Sequence, residues 1–340
     1  MAINKIFPKK HYLEQILYLK KKEFTIYYSC KHKYPYLVIE KLNVNTGKTK
    51  EGENIKRTEI TDPFAEDLDI PEKYRLTKKD YLNYMMYGGS MGHNAPAGNH
   101  KTDYETYMET FKFSNMAPQE ITFNSGVWVV LESWCRYLSK NFRIKKLMVI
   151  TGSIPAQKNK KFNTSSINVP THMFKLVFCQ ERMPLKRKRR NKIYCACFLY
   201  PNQPINPTSQ NIEIHKYLIP LNVFQYKFGI NVNPILGSYY HYNPKYFDIE
   251  NLSTIVNINF YLNNYMVVQM KKAEMYGMLI YSNTLDELDK NWQICLSLEE
   301  SFKDLQYHKE YYDFAKKRIK LKSRSVSKTK KKKKKYSNKL

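Results

Sequence analysis

Long apolar runs are absent from this sequence, and acidic residues are scarce. No apolar stretch approaches the roughly 18 residues that a transmembrane helix needs, so no membrane-spanning segment is predicted. The six cysteines show neither a C-x-x-C pair nor zinc-ligand spacing, which is typical of reduced, buried thiols in an intracellular compartment. A glycine-rich nucleotide loop and a serine or cysteine catalytic pairing are also missing.

The shortage of acid leaves the chain strongly basic. Its 340 residues hold 57 Lys and Arg but only 30 Asp and Glu, a formal net charge of +27. Fourteen of the cations lie after residue 314, where no acidic residue follows. This charge indicates a polyanion partner, either nucleic acid or an anionic membrane surface. The 29 tyrosines favour nucleic acid, because aromatic rings interleaved with lysines can also stack on bases.

The segment 88–136 carries the pattern best suited to catalysis. His93 follows a glycine and precedes a turn of small residues that ends at Asn99. A helical period begins near residue 125, and its apolar members are predicted to face the core. These members are Val127, Leu131, Trp134 and Leu138.

A second stripe on the same helix has a spacing of four residues. Its members are Asn124, Trp128, Glu132 and Arg136. One interpretation is an N-cap asparagine followed by a surface Glu–Arg pair. The other is metal-assisted phosphodiester chemistry, in which His93 activates water and a hard cation neutralises the phosphate.

These motifs resemble the DNA/RNA non-specific endonucleases of the ββα-metal superfamily, within the endonuclease G group and closest to mitochondrial exo/endonuclease G. The matching segments are Ser90–Asn99, Ser114–Gln119, Asn124–Trp128, Cys135–Arg136, Thr151–Gly152 and Val169–Lys175. The likeness spans residues 25–240 and continues weakly to 322. It implies an α+β fold with a central antiparallel sheet, a ββα-metal (His-Me) finger at 85–138 and a helical C-terminal wing.

The resemblance also implies roles for individual residues. His93 is the general base, Asn124 the one direct protein ligand of Mg²⁺ or Mn²⁺, and Glu132 holds a metal-bound water. Asn115 and Gln119 are orienting amides. Further matches give Arg136 as a phosphate contact and Arg57 as a second one, although a solvated loop arginine explains Arg57 equally well. His100 and His172 are predicted to be structural.

One position departs from the family pattern. Relatives have an arginine before the Gly-His pair, which contacts the phosphate under attack, whereas this chain has Met91. Methionine offers no hydrogen-bond donor, and losing such a donor typically costs about 10²–10³ in rate. The site is therefore predicted to be weakened while its metal ligand is kept.

Two basic runs lie outside these motifs. The residues of the first are Lys186, Arg187, Lys188, Arg189 and Arg190, at a predicted hairpin tip. We interpret it as a phosphate-contacting loop rather than a nuclear localisation signal. The second consists of Lys330, Lys331, Lys332, Lys333, Lys334 and Lys335, in a low-complexity tail predicted to be disordered in isolation.

The predicted organisation has four parts. A basic extension (1–23) precedes the endonuclease-like domain (24–240). The extension is either a helical organelle-targeting segment or has no targeting role. The wing (241–322) and the lysine-rich tail (323–340) follow.

Two functions fit these observations. The first is an inactive or weakened endonuclease fold that binds rRNA, as a structural component of a mitochondrial ribonucleoprotein such as the mitoribosome, beside ribosomal proteins. The second is an active Mg²⁺-dependent endo- or exonuclease acting on DNA or RNA, with His93 as its base. Both predict a mitochondrial location, in the matrix or at the inner membrane. Relatives further suggest a homodimer or a dimer with a paralogue. Met91 and the charge favour the first function narrowly.

Overall fold

The structure is a computed structural model that describes residues 3–7, 16–50, 55, 60–156, 167–181, 193–205, 214–240, 249–252, 264–298 and 306–337. Its strands are β1 (Ile16–Lys20), β2 (Phe24–Ser29), β3 (Tyr34–Leu42), β4 (Gly89–His93), β5 (Met116–Glu120), β6 (Ile144–Ile154), β7 (His172–Glu181), β8 (Ile193–Pro201) and β9 (Ile249–Asn251). Its helices are α1 (Ile3–Ile6), α2 (Lys78–Met85), α3 (Tyr104–Glu109), α4 (Ile121–Phe123), α5 (Val129–Ser139), α6 (Leu221–Phe228), α7 (Asn233–Tyr240), α8 (Asn264–Tyr281), α9 (Leu285–Ser297) and α10 (Gln306–Ser337). None of these helices has the length and apolar character needed to cross a membrane.

Seven strands form the central sheet, in the order β1-β2-β3-β6-β7-β8-β9. All neighbours are antiparallel except the short β9, which runs parallel to β8. Alternate residues of β6 serve different cores: Leu147 and Val149 face one side, Met148 and Ile150 the other. The predicted α+β fold with a central antiparallel sheet is confirmed.

Helices cover both faces of this sheet. On one face, α5 buries Leu131 and Trp134 against β6, β7 and β8. On the other face, α1, α6 and α7 pack through Phe224 and Leu236. Burial on two sides explains the unbroken apolar runs 147–150 in β6 and 176–179 in β7, where apolar and polar residues do not alternate.

The predicted finger is a separate two-stranded hairpin followed by a helix. β4 pairs with β5 so that His93 lies opposite Met116 and Gly92 opposite Ala117. Gly92 permits this close approach, because a Cβ there would lie 2.1 Å from the Gln119 side chain. The chain then passes directly into α4.

The finger's helix differs from the single helix predicted from residue 125. A π-helical turn (Asn124–Trp128) joins α4 to α5, with non-helical backbone angles at Gly126. The four predicted core residues are buried as expected. Trp128 is fully buried too, so it belongs to the core and not to a surface stripe. The extra residue in the π turn rotates Asn124 relative to Glu132 and breaks the simple spacing of four.

The wing is joined closely to the finger. Helices α8, α9 and α10 share an apolar cluster with α2 and the finger, which includes Tyr81, Met116, Met275 and Leu279. β9, predicted to belong to the wing, extends the central sheet instead.

Part of the predicted basic extension is a strand of the central sheet. Residues 16–20 form the edge strand β1 and pair with β2, so the helix considered for a targeting segment does not include them. Ile16 and Leu19 are buried there, and Phe7 reaches the core of the sheet. Apolar burial therefore makes this segment part of the folded domain, and Lys20 lies on the edge strand, where charge opposes strand addition.

The prediction for the tail also differs from the structure. α10 continues to Ser337 and so includes the segment expected to be disordered in isolation. Its first turns pack against α8 and α9, with Tyr311 and Ala315 buried. Lysine has a favourable helix propensity, so a helix already nucleated by packing extends through the basic run.

Candidate active site

His93 is held at the end of β4 by aromatic neighbours. Its ring meets the edge of Phe111 with centroids 5.0 Å apart and lies 6.0 Å from Phe64. The imidazole is half-buried. Aromatic contacts fix the orientation of the ring, and a fixed orientation suits a general base that takes a proton from water.

Asn115 holds the turn that follows His93. The amide nitrogen of Ala95 donates to Asn115 Oδ1 at 2.9 Å, and Asn115 Nδ2 donates to the carbonyls of Ala95 and Thr110 at 2.9 and 2.8 Å. Both the backbone and the side chain of Asn94 also donate to the Asn115 carbonyl, at 3.0 Å each. The predicted orienting amide is thus fully buried and bonded to backbone groups.

Replacing Asn115 with alanine is expected to lower the free energy of unfolding by about 3 kcal/mol. The substitution leaves several buried backbone groups without a hydrogen-bond partner, and each such group costs about 1–3 kcal/mol. Urea unfolding measures the change. Asn141→Ala is the matched control, since its side chain accepts one exposed backbone bond, from Arg143 at 2.9 Å. Equal losses in the two variants would contradict this structural role.

The amide of Asn124 is oriented by Ser90. Asn124 Nδ2 donates to Ser90 Oγ at 3.0 Å, and Ser90 Oγ donates to the Gln119 carbonyl at 3.0 Å. Since Nδ2 is held inward, Oδ1 is left to act as an oxygen ligand. Gln119, predicted as an orienting amide, contributes its main-chain carbonyl; its buried side-chain amide has no hydrogen-bond partner among the described residues.

Glu132 lies on α5, where the charge of the buried Lys175 acts on its carboxyl. Burial raises the pKa of its carboxyl to about 7, opposed by the charges of Lys175 and Arg136. Lys175 is only 1% exposed, and its ammonium donates to Thr151 Oγ1 at 2.6 Å. It also lies 4.8 Å from the centroid of the Trp128 ring. A carboxyl that titrates near neutrality can hold or release a proton on a nearby water.

Arg136 is tied to a network of buried polar residues. Its Nη1 donates to Asn99 Oδ1 at 3.1 Å, and Nη2 donates to Ser133 Oγ at 2.7 Å. Asn99 Nδ2 in turn donates to Glu40 Oε1 at 2.8 Å. The guanidinium is half-buried, so part of its surface remains for a phosphate. Its position is set by Glu40, a residue of the central sheet.

His100 completes this network and is structural, as predicted. Its Nδ1 lies 2.9 Å from Glu23 Oε2, and its Nε2 lies 2.9 Å from Glu40 Oε1. Hydrogen bonds and charge from the two carboxylates outweigh burial and raise the pKa of His100 to about 9. The imidazolium form is therefore the stable one at neutral pH.

This pKa predicts how stability depends on pH. The folded-state pKa of His100, about 9, exceeds its ordinary value of 6.5. Protonated His100, paired with Glu23 and Glu40, therefore stabilises the fold fully below pH 6.5. This contribution to the free energy of unfolding disappears as pH rises through about 9. At 1.36 kcal/mol per pKa unit, about 3 kcal/mol is at stake. Urea unfolding between pH 6.5 and 9.5 should show this decline, and His100→Gln should flatten it. An equal decline in both proteins would contradict the assignment.

The sequence comparison agrees with this geometry. The family model of the DNA/RNA non-specific endonucleases matches residues 5–236. The chain belongs to this family. It is 32% identical to the mitochondrial nuclease of Saccharomyces cerevisiae over 225 residues, 62% of this chain and 64% of that protein. It is 31% identical to mouse "Nuclease EXOG, mitochondrial" over 160 residues, 44% of this chain and 41% of that protein.

The chain spans less than two thirds of the length of these relatives. A crystal structure of the EndoG/EndoGI complex matches with a TM-score of 0.52 at 24% identity, over 67% of this chain and 90% of that chain. At this identity the match supports the fold, and the ββα-metal prediction is confirmed. Relatives from S. cerevisiae, mouse and Schizosaccharomyces pombe are named as mitochondrial nucleases, so the predicted mitochondrial localisation is confirmed as well.

Family membership supports a divalent-metal cofactor, and the donor set fits one. No cluster of three or more His, Cys, Asp or Glu that could chelate a metal occurs among the described residues. A single amide oxygen at Asn124 and the carboxyl of Glu132 suit a hard cation that keeps most of its water ligands. Such a site is typical of Mg²⁺ or Mn²⁺ and not of zinc.

Met91, the departure from the family pattern, packs against the apolar cluster of the wing. It shares a face of β4 with His93, two residues away, and is half-buried. An apolar side chain thus occupies the position where the family resemblance predicts an arginine. Nothing in the described part of the chain places another arginine at this point of the strand.

Several predicted contacts cannot be placed. Arg57 and the run 186–190 lie outside the described residues, and the run 330–335 lies on α10 without described side chains.

Other contributors were missed by sequence reasoning. Asn202 Oδ1 accepts a hydrogen bond from the backbone N–H of Glu120 at 2.9 Å, and its Nδ2 donates to the carbonyls of Pro118 and Pro170 at 2.9 Å each. Asn202 therefore fixes the position of the end of β5. Its position after a strand in a Pro-Asn turn was the available signal.

Proposed function

We propose that this chain is a divalent-metal-dependent nuclease that hydrolyses phosphodiester bonds of DNA or RNA in mitochondria. The observation that carries the proposal is the finger itself. It presents the His93 imidazole from the end of one strand and the oriented Asn124 amide from the following helix. Ser90 and Asn115 hold the two parts with hydrogen bonds of 2.8–3.0 Å. Preorganisation of this kind lowers the barrier for reaction.

The residues divide the chemistry as follows. His93 accepts a proton from the attacking water as the water oxygen bonds to phosphorus. The phosphorus–oxygen bond to the leaving group breaks, and the leaving oxygen takes a proton from solvent to become a hydroxyl. Asn124, and Glu132 through a water, would hold a divalent cation such as Mg²⁺ or Mn²⁺, which would supply charge neutralisation at the phosphate. Arg136, positioned by Asn99, contacts a phosphate oxygen. The net charge of +27 draws the polyanion toward the site.

The alternative is an RNA-binding structural component of a mitochondrial ribonucleoprotein. Met91 is the observation that favours it, because it removes one phosphate contact. The comparisons offer no support for inactivity or for a ribosomal role, since the relatives are named as nucleases. Dimer formation, with itself or a paralogue, remains a prediction.

The test is cleavage of plasmid DNA and structured RNA by the purified chain, with Mg²⁺, Mn²⁺ or EDTA. Metal-dependent cleavage that EDTA stops supports the nuclease. Absence of cleavage with both metals, together with co-sedimentation of the chain with mitochondrial ribosomal particles, would replace it with the structural alternative.

A further inference from the structure

Glu120 is a buried carboxylate at the junction of β5 and the metal-site helix. It is 7% exposed, although a buried carboxylate needs hydrogen-bond partners to be tolerated. Its Oε2 accepts from the backbone N–H of Phe123 at 2.8 Å and from the Thr122 hydroxyl at 2.6 Å. Glu120 is therefore the N-cap of α4, the turn that immediately precedes Asn124.

The other oxygen of this carboxylate faces the wing. Tyr281, the last residue of α8, donates its hydroxyl to Glu120 Oε1 at 2.6 Å. The Tyr281 ring covers the start of β4, where Gly88 has φ +93° and a Cβ would lie 2.9 Å from the tyrosine hydroxyl. Tyr311 of α10 adds a bond to the Gly89 carbonyl at 3.1 Å. Two wing tyrosines thus hold the two strands of the finger.

Helix α8 also packs directly on the turn that carries Asn124. A Cβ at Gly126 would lie 3.3 Å from the Ala273 Cβ, and one at Gly277 would lie 3.1 Å from Thr122 Cγ2. Through these glycines, α8 meets α4 and the π turn at van der Waals distance, which leaves little room for the π turn to shift. The wing therefore constrains the turn both by packing and through the Glu120 carboxylate.

We propose that Tyr281 is a positioning residue that acts through Glu120 to hold Asn124 in its metal-binding orientation. The inference rests on the proposed role of Asn124 as metal ligand. Glu120 caps the N–H of Phe123, the residue before Asn124, so a carboxylate released by Tyr281 loosens the turn at the ligand itself. The wing is thereby a part of the metal site, although it contributes no ligand.

Tyr281→Phe tests this role, because it removes one hydroxyl and keeps the ring. Tyr312→Phe is the matched control, since Tyr312 donates to Asp289 Oδ1 at the same distance of 2.6 Å but within the wing. Mn²⁺ affinity is measured by calorimetry, and kcat and KM on DNA. We expect Tyr281→Phe to weaken Mn²⁺ binding about fivefold and lower kcat about tenfold, with KM unchanged, as follows from losing a hydrogen bond to a charged group. The control is expected to leave all three unchanged.

A double-variant cycle shows whether Tyr281 acts through Glu120. In a Glu120→Gln background, Tyr281→Phe is expected to change Mn²⁺ affinity less than about twofold, because the shared pathway is already interrupted. A full fivefold effect in that background would overturn the proposal. Equal Mn²⁺ affinities of Tyr281→Phe and Tyr312→Phe would overturn it too, as would a parent chain that binds no Mn²⁺. A parent that binds Mn²⁺ but cleaves nothing would contradict the nuclease function alone, and the Mn²⁺ cycle would still decide on Tyr281.

Discussion

We expect His93→Ala to lower the cleavage rate by about 10²- to 10⁴-fold, the range for loss of a positioned general base. The imidazole lies at the end of β4, with its ring centroid 5.0 Å from that of Phe111 and 6.0 Å from that of Phe64. The loss should therefore appear in kcat, with nucleic-acid affinity retained. Cleavage of a fluorescent oligonucleotide and its binding in EDTA measure the two quantities separately.

His172→Ala provides the control for this prediction. His172 begins β7, is half-buried, and its Nδ1 lies 3.1 Å from Thr171 Oγ1. Its substitution is expected to change cleavage less than about twofold. If His93→Ala retained the parental rate, the general base would have to be another group, and the proposed mechanism would be wrong. If it lost affinity along with rate, His93 would be a binding residue instead.

The finger was predictable because its information is local. The helical period placed Leu131 and Trp134 in the core, and the resemblance of the local motifs to the endonuclease family implied that His93 and Asn124 share one supersecondary unit. Both depend on residues near one another in the chain. The π turn was not predictable in the same way, because one extra residue in a helix leaves the apolar period almost unchanged.

The supports of the site escaped prediction because their partners are distant in sequence. Glu40 meets His100 across 60 positions, and Glu120 meets Tyr281 across 161. No spacing rule links such residues; only the sheet order and the docking of α8 bring them together. Composition also left the N-terminus open. The lysines around β1 fitted a targeting segment or no such role, and they did not predict that the few apolar residues between them pair this segment with β2.

Met91→Arg is expected to raise the cleavage rate by about 10²–10³-fold, the typical value of one donor aimed at developing charge. Met91 and His93 alternate on the same face of β4, so a cation at 91 would project beside the base. The half-buried position lets the aliphatic stem keep the contact with the wing cluster while the guanidinium reaches solvent. Single-turnover cleavage of DNA and RNA under saturating Mg²⁺ measures the gain.

Two further substitutions at Met91 separate charge from geometry. Met91→Leu preserves the apolar contact without a donor, so its rate should equal that of the parent. Met91→Lys adds charge without the planar fork that binds two phosphate oxygens, so its gain should lie well below that of arginine. A thermal melt of each variant controls for lost packing. If the arginine variant folds normally and its cleavage rate does not rise, Met91 does not limit the activity of this site. The methionine would then fit an enzyme that binds the phosphate through other contacts. Arg136, held by the Asn99–Glu40 network, would be the first of these to test.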